Sequence, residues 1–371
     1  MNIGSYSTRL LPIMVLLPSV VLVAIFVYGF IGWTSYTSVT DSNALQQLSG
    51  QPSTYIGFQN YIDLFTGQLN FRFRTDLVNV FFFTAMFILA SQVIGFGLAV
   101  LLDQNVQGET VFRSIFLFPM SLSFIVTGVI WQWMFSPNSG LNTLVTYVGL
   151  PQADVRWFIS QEQWAQFQWT NLASILVKIV LGIVIFVSLM YWSRRRSQAG
   201  ALTAALAILL ISWLTFGNPD QITALEFEEG HGFNVALIAV VIAASWQMSG
   251  YTMAMYLAGL RGIPEELREA ARVDGAGEFK TYRHIVVPLL RPITLSAIII
   301  QGHISLKIFD LVFTLGGGDN LFIDMPGINM FFVTFRGNDF ARGAAIAMIM
   351  LIMIAIVIVP YLVFSLREEV D

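Results

Sequence analysis

"EELREAARVDGAGEFKTYRHIVVPLLRP", residues 265–292, is a charged island in an oily chain. Eleven charged side chains lie between Arg261 and Arg291, about a quarter of the 19 Lys and Arg and 23 Asp and Glu of the whole sequence. The 371 residues are 56% hydrophobic and only 11% charged, whereas a soluble domain carries about 25% charged residues. Directly after the island, "ITLSAIIIQGHISLKIF" (293–309) resumes an apolar run. The island itself reads as mechanics. Pro264 stands where a missing N–H costs a helix little, and Glu265 and Glu266 fall in a first turn, where acidic groups suit the helix dipole. "EELREAARV" is built of strong helix formers, and Ala270 and Ala271 leave a small surface for close packing. Gly275 and Gly277 then break the helix, glycine being the residue that tolerates positive φ. "EFKTYRHIVV" (278–287) reads as a second short helix, and Pro288 and Pro292 open the next apolar run. A plain connection needs only a few polar residues. Two readings fit: a helix–elbow–helix that docks into another chain, or an amphipathic helix resting on lipid headgroups.

Crossing a bilayer takes roughly 20 apolar helical residues, and eight such stretches recur: 11–33, 78–102, 113–135, 171–192, 200–216, 234–258, 289–310 and 343–366. The net charge is −4 with no concentrated basic surface, which argues against nucleic acid as a partner. The absence of cysteine excludes disulfides, iron–sulfur clusters and thiol catalysis. A single Arg9 precedes the first stretch and no small-residue cleavage site follows it, so it reads as a retained anchor. Cytoplasmic loops retain Lys and Arg. With the N-terminus inside, twelve cations fall on the inner side (Arg9, Arg113, Arg194, Arg195, Arg196, six from Arg261 to Arg291, and Arg367), against five outside (Arg72, Arg74, Arg156, Arg336, Arg342). Both termini and the island are therefore expected in the cytoplasm. Trp157, Trp164 and Trp169 mark a membrane interface. The expected organisation is an anchor helix and outer loop over 1–74, a transmembrane domain over 75–366 and a tail over 367–371. Residues 155–233 stand out as an inserted hairpin, whose removal leaves the topology of the other six spans unchanged.

"EAARVDGAGEFKTYRHIVVP" (269–288) resembles the EAA loop of permease subunits in ATP-binding-cassette importers. The motif's Glu-Ala-Ala falls on Glu269, Ala270 and Ala271. Its Gly is Gly275, preceded by Asp274; its Ile is Ile285; its Leu-Pro is Val287-Pro288, with Val in place of Leu. "VFRSIFLFPMSLSFIVTGVIWQWMFSPNSGLNTLV" (111–145) and "WQMSGYTMAMYLAGLRGIPEEL" (246–267) look like the corresponding spans of carbohydrate permeases. "SLKIFDLVFTLGGGDNLFIDMPGINMFF" (305–332) is similar to the same group and most to its glucose/mannose-type branch, although Asp319 stands where the family often has Pro. The resemblance covers about 75–140 and 234–366 and leaves out the inserted hairpin.

The resemblance implies an all-α integral membrane protein of the type I importer permease fold, in a prokaryotic inner (plasma) membrane, among membrane lipid. It implies that the island is a coupling helix seated in a separate ATPase, and that a second homologous permease supplies the other half of the pathway. Two ATP-binding subunits would use ATP and Mg²⁺, this chain binding no cofactor, and a periplasmic or extracellular sugar-binding protein would deliver cargo.

The residues agree that hydrolysis belongs elsewhere. The chain has no G-x-x-x-x-G-K-[ST] phosphate cradle, and Gly316-Gly317-Gly318 reads as a gate or turn. His231, His284 and His303 are isolated, without metal-ligand spacing, and a transport subunit rather than an enzyme is expected. Polar groups inside spans usually face a cavity or another helix. Gln132 beside Trp131, Gln247 beside Trp246, and Gln301 with Ser305 at i, i+4 offer the amides, hydroxyls and aromatic faces that sugars need; ordinary interhelical hydrogen bonding is the other reading. Lys307 and Asp310, at i, i+3 near the outer interface, read as a snorkelling pair or an outer gate. The rival classes are an ion-driven secondary transporter, which should carry repeats and mid-membrane carboxylates, and a membrane-embedded glycosyl-lipid enzyme, which needs paired acids. Neither pattern is evident.

Overall fold

A computed structural model describes residues 15–172, 178–185 and 225–368, with single-residue breaks at 105, 150, 154, 183, 226 and 317, together with residues 206, 208 and 211. The described helices are α1 (Val15–Ser38), α2 (Gln59–Thr66), α3 (Phe71–Leu102), α4 (Glu109–Leu117), α5 (Phe124–Met134), α6 (Leu237–Arg261), α7 (Glu265–Val273), α8 (Glu278–Leu289), α9 (Arg291–Leu306), α10 (Asp310–Leu315), α11 (Pro326–Phe331) and α12 (Phe340–Glu368). Two further short helices, Ala44–Ser49 and Gly140–Leu144, and several turns link them. α1, α3, α6 and α12 are each long and apolar enough to cross a membrane.

Two further spans are bent pairs. α4, extended through Ser121, meets α5 at 100°, and α8 meets α9 at 64°. Proline explains both breaks, since it has no N–H and clashes with the preceding turn. Pro119 sits in the Phe118–Ser121 turn, after which Ser123 Oγ accepts from Val126 N at 3.3 Å and starts α5. Pro292 sits in the first turn of α9. These six spans coincide with six of the eight expected stretches. The other two, 171–192 and 200–216, lie largely outside the described residues, as do Arg9 and Arg194, Arg195 and Arg196.

α3 and α6 are the centre of the bundle. A Cβ on Gly95 of α3 would lie 2.5 Å from Thr252 Cβ of α6, and one on Gly250 would lie 2.0 Å from the Phe116 carbonyl. Small residues at such crossings let backbones approach where no hydrophobic force drives helices together. Phe83, Phe87, Leu237, Val240, Leu311 and Ile328 fill the main core. α1 is exposed along nearly its whole length and touches α12, where Ser35 Oγ donates to Met348 Sδ at 3.3 Å. α3 runs unbroken across residues 74 and 75, so the expected boundary between anchor region and transmembrane domain falls inside one helix.

The helical chain carries one small β-ribbon among the described residues. β1 (Gln163–Gln168) pairs antiparallel with β2 (Gly230–Asn234), in register Gln163↔Asn234 and Gln168↔Gly230, with a bulge between Trp164 and Phe167. Trp169 N donates to Glu229 O at 2.8 Å and extends the pairing. The β1–β2 ribbon is thus a neck that holds together the described flanks of the 155–233 segment, residues 163–168 and 230–234.

Candidate coupling loop and pathway residues

The island folds as its sequence spacing predicts. α7 begins after Pro264 with Glu265 and Glu266 in its first turn and ends at Asp274, whose N–H donates to Ala270 O at 3.0 Å. Gly275 then takes φ +75, with no atom within 4 Å of the Cβ it lacks. Glycine is needed there for the backbone, not for space. α8 follows, rooted by Val286 in a cluster with Leu290, Leu257, Leu260, Tyr256 and Leu102. α7 is different: Ala271 is its sole buried side chain, whereas Glu269 and Ala270 are exposed. Asp274 and Gly275 are exposed too, while Ile285 and Pro288 are half-buried. Leu267 on α7 is open to the surroundings, as are Val273 at 86% and Phe279 at 76% relative exposure. An apolar knuckle is held out from a rooted base.

Ion pairs fix the knuckle's attitude. Arg268 Nη1 donates to Asp103 Oδ2 at 2.8 Å and Nη2 to Leu260 O at 3.1 Å. Arg261 pairs with Glu109 at 2.7 Å, and Arg272 lies 3.5 Å from Glu265 and 3.7 Å from Glu278.

The pathway candidates divide. Trp131 and Trp246 come together edge to face, ring centroids 5.8 Å apart, with Phe135 5.0 Å from Trp131. Gln247 is buried and donates to Leu122 O at 2.8 Å. Its Oε1, Trp131 Nε1 and Thr127 Oγ1 are buried with no hydrogen-bond partner among the described residues. Thr127 and Trp131 are one turn apart on α5, and Gln132 is exposed. Gln301 is spent between helices: its Nε2 donates to Thr252 Oγ1 at 2.6 Å and its Oε1 accepts from Gln92 Nε2 at 3.1 Å. Ser305 donates to Gly302 O at 2.9 Å in its own helix. For these two the interhelical and intrahelical reading describes this conformation. Lys307 and Asp310 are exposed and unpaired with each other among the described residues. The one-turn spacing expected of them is absent, because α9 ends at Leu306 and Asp310 starts α10.

At the opposite end of α3 lies a network that sequence spacing did not reveal. Arg74, wholly buried, donates from Nε to Glu229 Oε1 at 2.8 Å and from Nη2 to Glu229 Oε2, and its Nη1 reaches Gly67 O at 2.9 Å. His231, expected to be isolated, has its Nε2 2.6 Å from Glu229 Oε1 and its ring 5.2 Å from Trp169. Burial alone would raise the Glu229 carboxyl, but Arg74 and then His231 outweigh it and hold the group below its ordinary range. Burial pushes the His231 imidazole down, and Arg74 adds to this against the opposing pull of Glu229. Arg72 pairs with Asp324 at 2.5 Å, Asn329 donates to Asp76 at 2.8 Å, and Asn234 donates to Asn79 at 2.7 Å. Arg74 and Glu229 are 155 residues apart, which is why no local pattern announced them. No cluster of three or more His, Asp or Glu positioned to hold a metal occurs among the described residues.

With this geometry in hand, the chain can be set beside known proteins. Residues 200–368 match the family described as binding-protein-dependent transport system inner membrane component. A "probable ABC transporter permease protein" of Pyrococcus horikoshii is 33% identical over 362 residues, covering 96% of each chain. The xylose/arabinose import permease protein of Haloferax volcanii is 30% identical over 357 residues, covering 94% of this chain and 86% of its own. The fold is shared with a solved bacterial alginate ABC transporter in complex with an alginate pentasaccharide-bound periplasmic protein, at TM-score 0.63, 15% identity and 96% coverage of both chains. The chain belongs to the family of inner-membrane permease components of binding-protein-dependent ABC transport systems. It is accordingly a multi-pass membrane transport subunit and not an enzyme.

Proposed function

We propose that this chain is the permease subunit of an ATP-driven carbohydrate importer, forming half of a translocation pathway and coupling it through α7 to a separate ATPase. The observation that carries the reading is the knuckle: an apolar surface of Leu267, Ala270, Val273 and Phe279 exposed on a rooted base beneath the spans. Such a patch has no reason to stay bare in a lone chain, and its flanking charges suit a protein cleft.

In this reading the island end and both termini face the cytoplasm. The partner ATPases use ATP and Mg²⁺; their closure drives two such loops together, one from this chain and one from a second homologous permease, and tilts the helices between inward- and outward-facing states. Glu269, Ala270, Ala271, Asp274 and Gly275 shape the knuckle, while Ile285 and Pro288 tie it to its base. A periplasmic binding protein delivers sugar at the ribbon end. Sugar as cargo is supported by the relatives' pentose and alginate transport, and by aromatic rings set beside amides at Trp131, Trp246 and Gln247. The unpartnered Thr127, Trp131 and Gln247 atoms supply hydrogen-bonding capacity that a hydroxylated solute can take up. Exposed Lys307 and Asp310 fit a gate role at the mouth.

Reconstitution tests this directly. Vesicles holding this chain, its companion permease and the ATPase should accumulate labelled pentose or hexose only with ATP and the binding protein, and a cross-linker at Ala270 should capture the ATPase. Uptake driven by an ion gradient in the ATPase's absence would establish a secondary transporter instead.

A further inference from the structure

Within the island α7 buries only Ala271, and one of its ion pairs joins three helices. Arg268 on α7 donates to Asp103, the residue that caps the C-terminus of α3, and to Leu260 O in the last turn of α6. The two side chains are 15% and 9% exposed, so the pair stands largely out of water, where its attraction is screened least. The remaining ion pairs of α7 link Arg272 to Glu265 and Glu278; all three side chains are more than half exposed and lie within the island. Arg261–Glu109 joins the end of α6 to α4 and bypasses α7.

We infer that the Asp103–Arg268 pair is the strut through which displacement of α7 is delivered to α3 and α6. The inference rests on the reading that an ATPase grips α7. α7 is bracketed by turns containing Gly262 and Gly275 and buries a single alanine. A helix so hinged can follow its partner without moving the spans. A guanidinium that holds a carboxylate at one helix end and a carbonyl at another triangulates the three and removes that freedom. Because Arg268 directs its charge into the bundle, the face formed by Leu267, Ala270 and Val273 does not depend on it. Asp103 and Arg268 are thus positioning residues, acting on the pathway through the helices they join.

The chain has no cysteine, so D103C/R268C introduces two thiols that a short bifunctional reagent can bridge through a reducible link. The protein is reconstituted with its companion permease, ATPase and binding protein, and sugar transported per ATP hydrolysed is measured before and after reduction. The bridged form should transport near the wild-type ratio. The reduced form should fall by about fivefold or more, the lower range of measured couplings between sites, while the ATPase still co-purifies and hydrolyses. Both forms come from one sample, so a folding defect cannot produce the difference. Equal ratios in the two forms overturn the strut. D103A should match the reduced form, and a D103A protein that loses transport and hydrolysis in equal proportion also overturns it. Failure of the ATPase to co-purify with the wild-type chain overturns the underlying reading and the strut with it, and is distinguished by appearing before any substitution.

Discussion

The two ends of α3 are built on opposite plans. At its N-terminal end Arg74 is wholly buried, spends its donors on Glu229 and on backbone carbonyls, and is backed by His231, Arg72–Asp324 and Asp76–Asn329. At its C-terminal end Asp103 makes one ion pair, to a short helix bracketed by glycine-containing turns and mostly bare. The helix between them is 32 residues long, about 48 Å at 1.5 Å per residue. One end is welded and the other articulated, as a lever requires. Removing a partner from the weld should do far more damage than removing one from the joint.

The largest expected effect is therefore Arg74→Ala. Breaking a buried pair on one side costs roughly 3–5 kcal/mol, because the remaining charge is stranded. Glu229 and His231 would lose their anchor, and the neck of β1 and β2 with them. The unfolding midpoint in detergent should drop well below that of Asp103→Ala. Similar midpoints for the two variants would erase the distinction between the ends.

Next comes Gly275→Val. The elbow holds φ +75, a region that costs an L-residue roughly 1–2 kcal/mol and a β-branched one more. Open space around the position means the cost is borne by the backbone alone. The chain should insert and melt only a few degrees below wild type, yet lose most ATP-coupled uptake. Normal uptake would show that the turn is not held in this conformation while working.

The joint was legible in the sequence and the weld was not, for a physical reason. Pro264, the Glu265–Glu266 turn, Ala270, Ala271, Gly275 and Gly277 all fall within the 14 consecutive residues 264–277, so their spacing encodes the shape they make. The six described spans were equally plain, since lipid demands long apolar helices. Arg72 and Arg74 read as loop cations on the outside because their partners, Asp324 and Glu229, stand 252 and 155 residues further along the chain. The i, i+3 pairing expected of Lys307 and Asp310 assumed one helix continuing past Leu306; it stops there, which hydropathy does not register. Gln301 was visible as a polar residue in a span, but whether it faced solute or Thr252 depended on the register of α6 against α9.

The weld should also carry a signature in pH. His231 sits below its ordinary value of 6.5 when folded, so the unfolded chain takes up a proton first as pH falls through 6.5, and stability declines from there toward the folded value. Glu229, held below its ordinary 4.5, adds a second loss in more acid solution. The melting temperature should fall between pH of about 7.5 and 5.5, across the imidazole range. His231→Gln, which still offers Glu229 a donor, should flatten that slope, and parallel slopes would remove His231 from the account.

The smallest effect should come from the middle of the lever. Gln301→Leu removes the bonds to Thr252 and Gln92, yet Thr252 Oγ1 keeps Met248 O at 3.2 Å and Gln92 Oε1 keeps Tyr256 OH at 2.7 Å. Because the neighbours have other partners, the cost should be near the average of about 0.6 kcal/mol for such contacts inside membranes, a small fraction of the loss for Arg74→Ala. Transport separates the two roles open to the residue. If Gln301 serves only to lock α3, α6 and α9 together, the KM for sugar should stay at its wild-type value in the Leu variant. A large rise in KM with unchanged melting would mean that this amide leaves Thr252 during the cycle and meets the cargo, and that the midsection of the lever is itself part of the pathway.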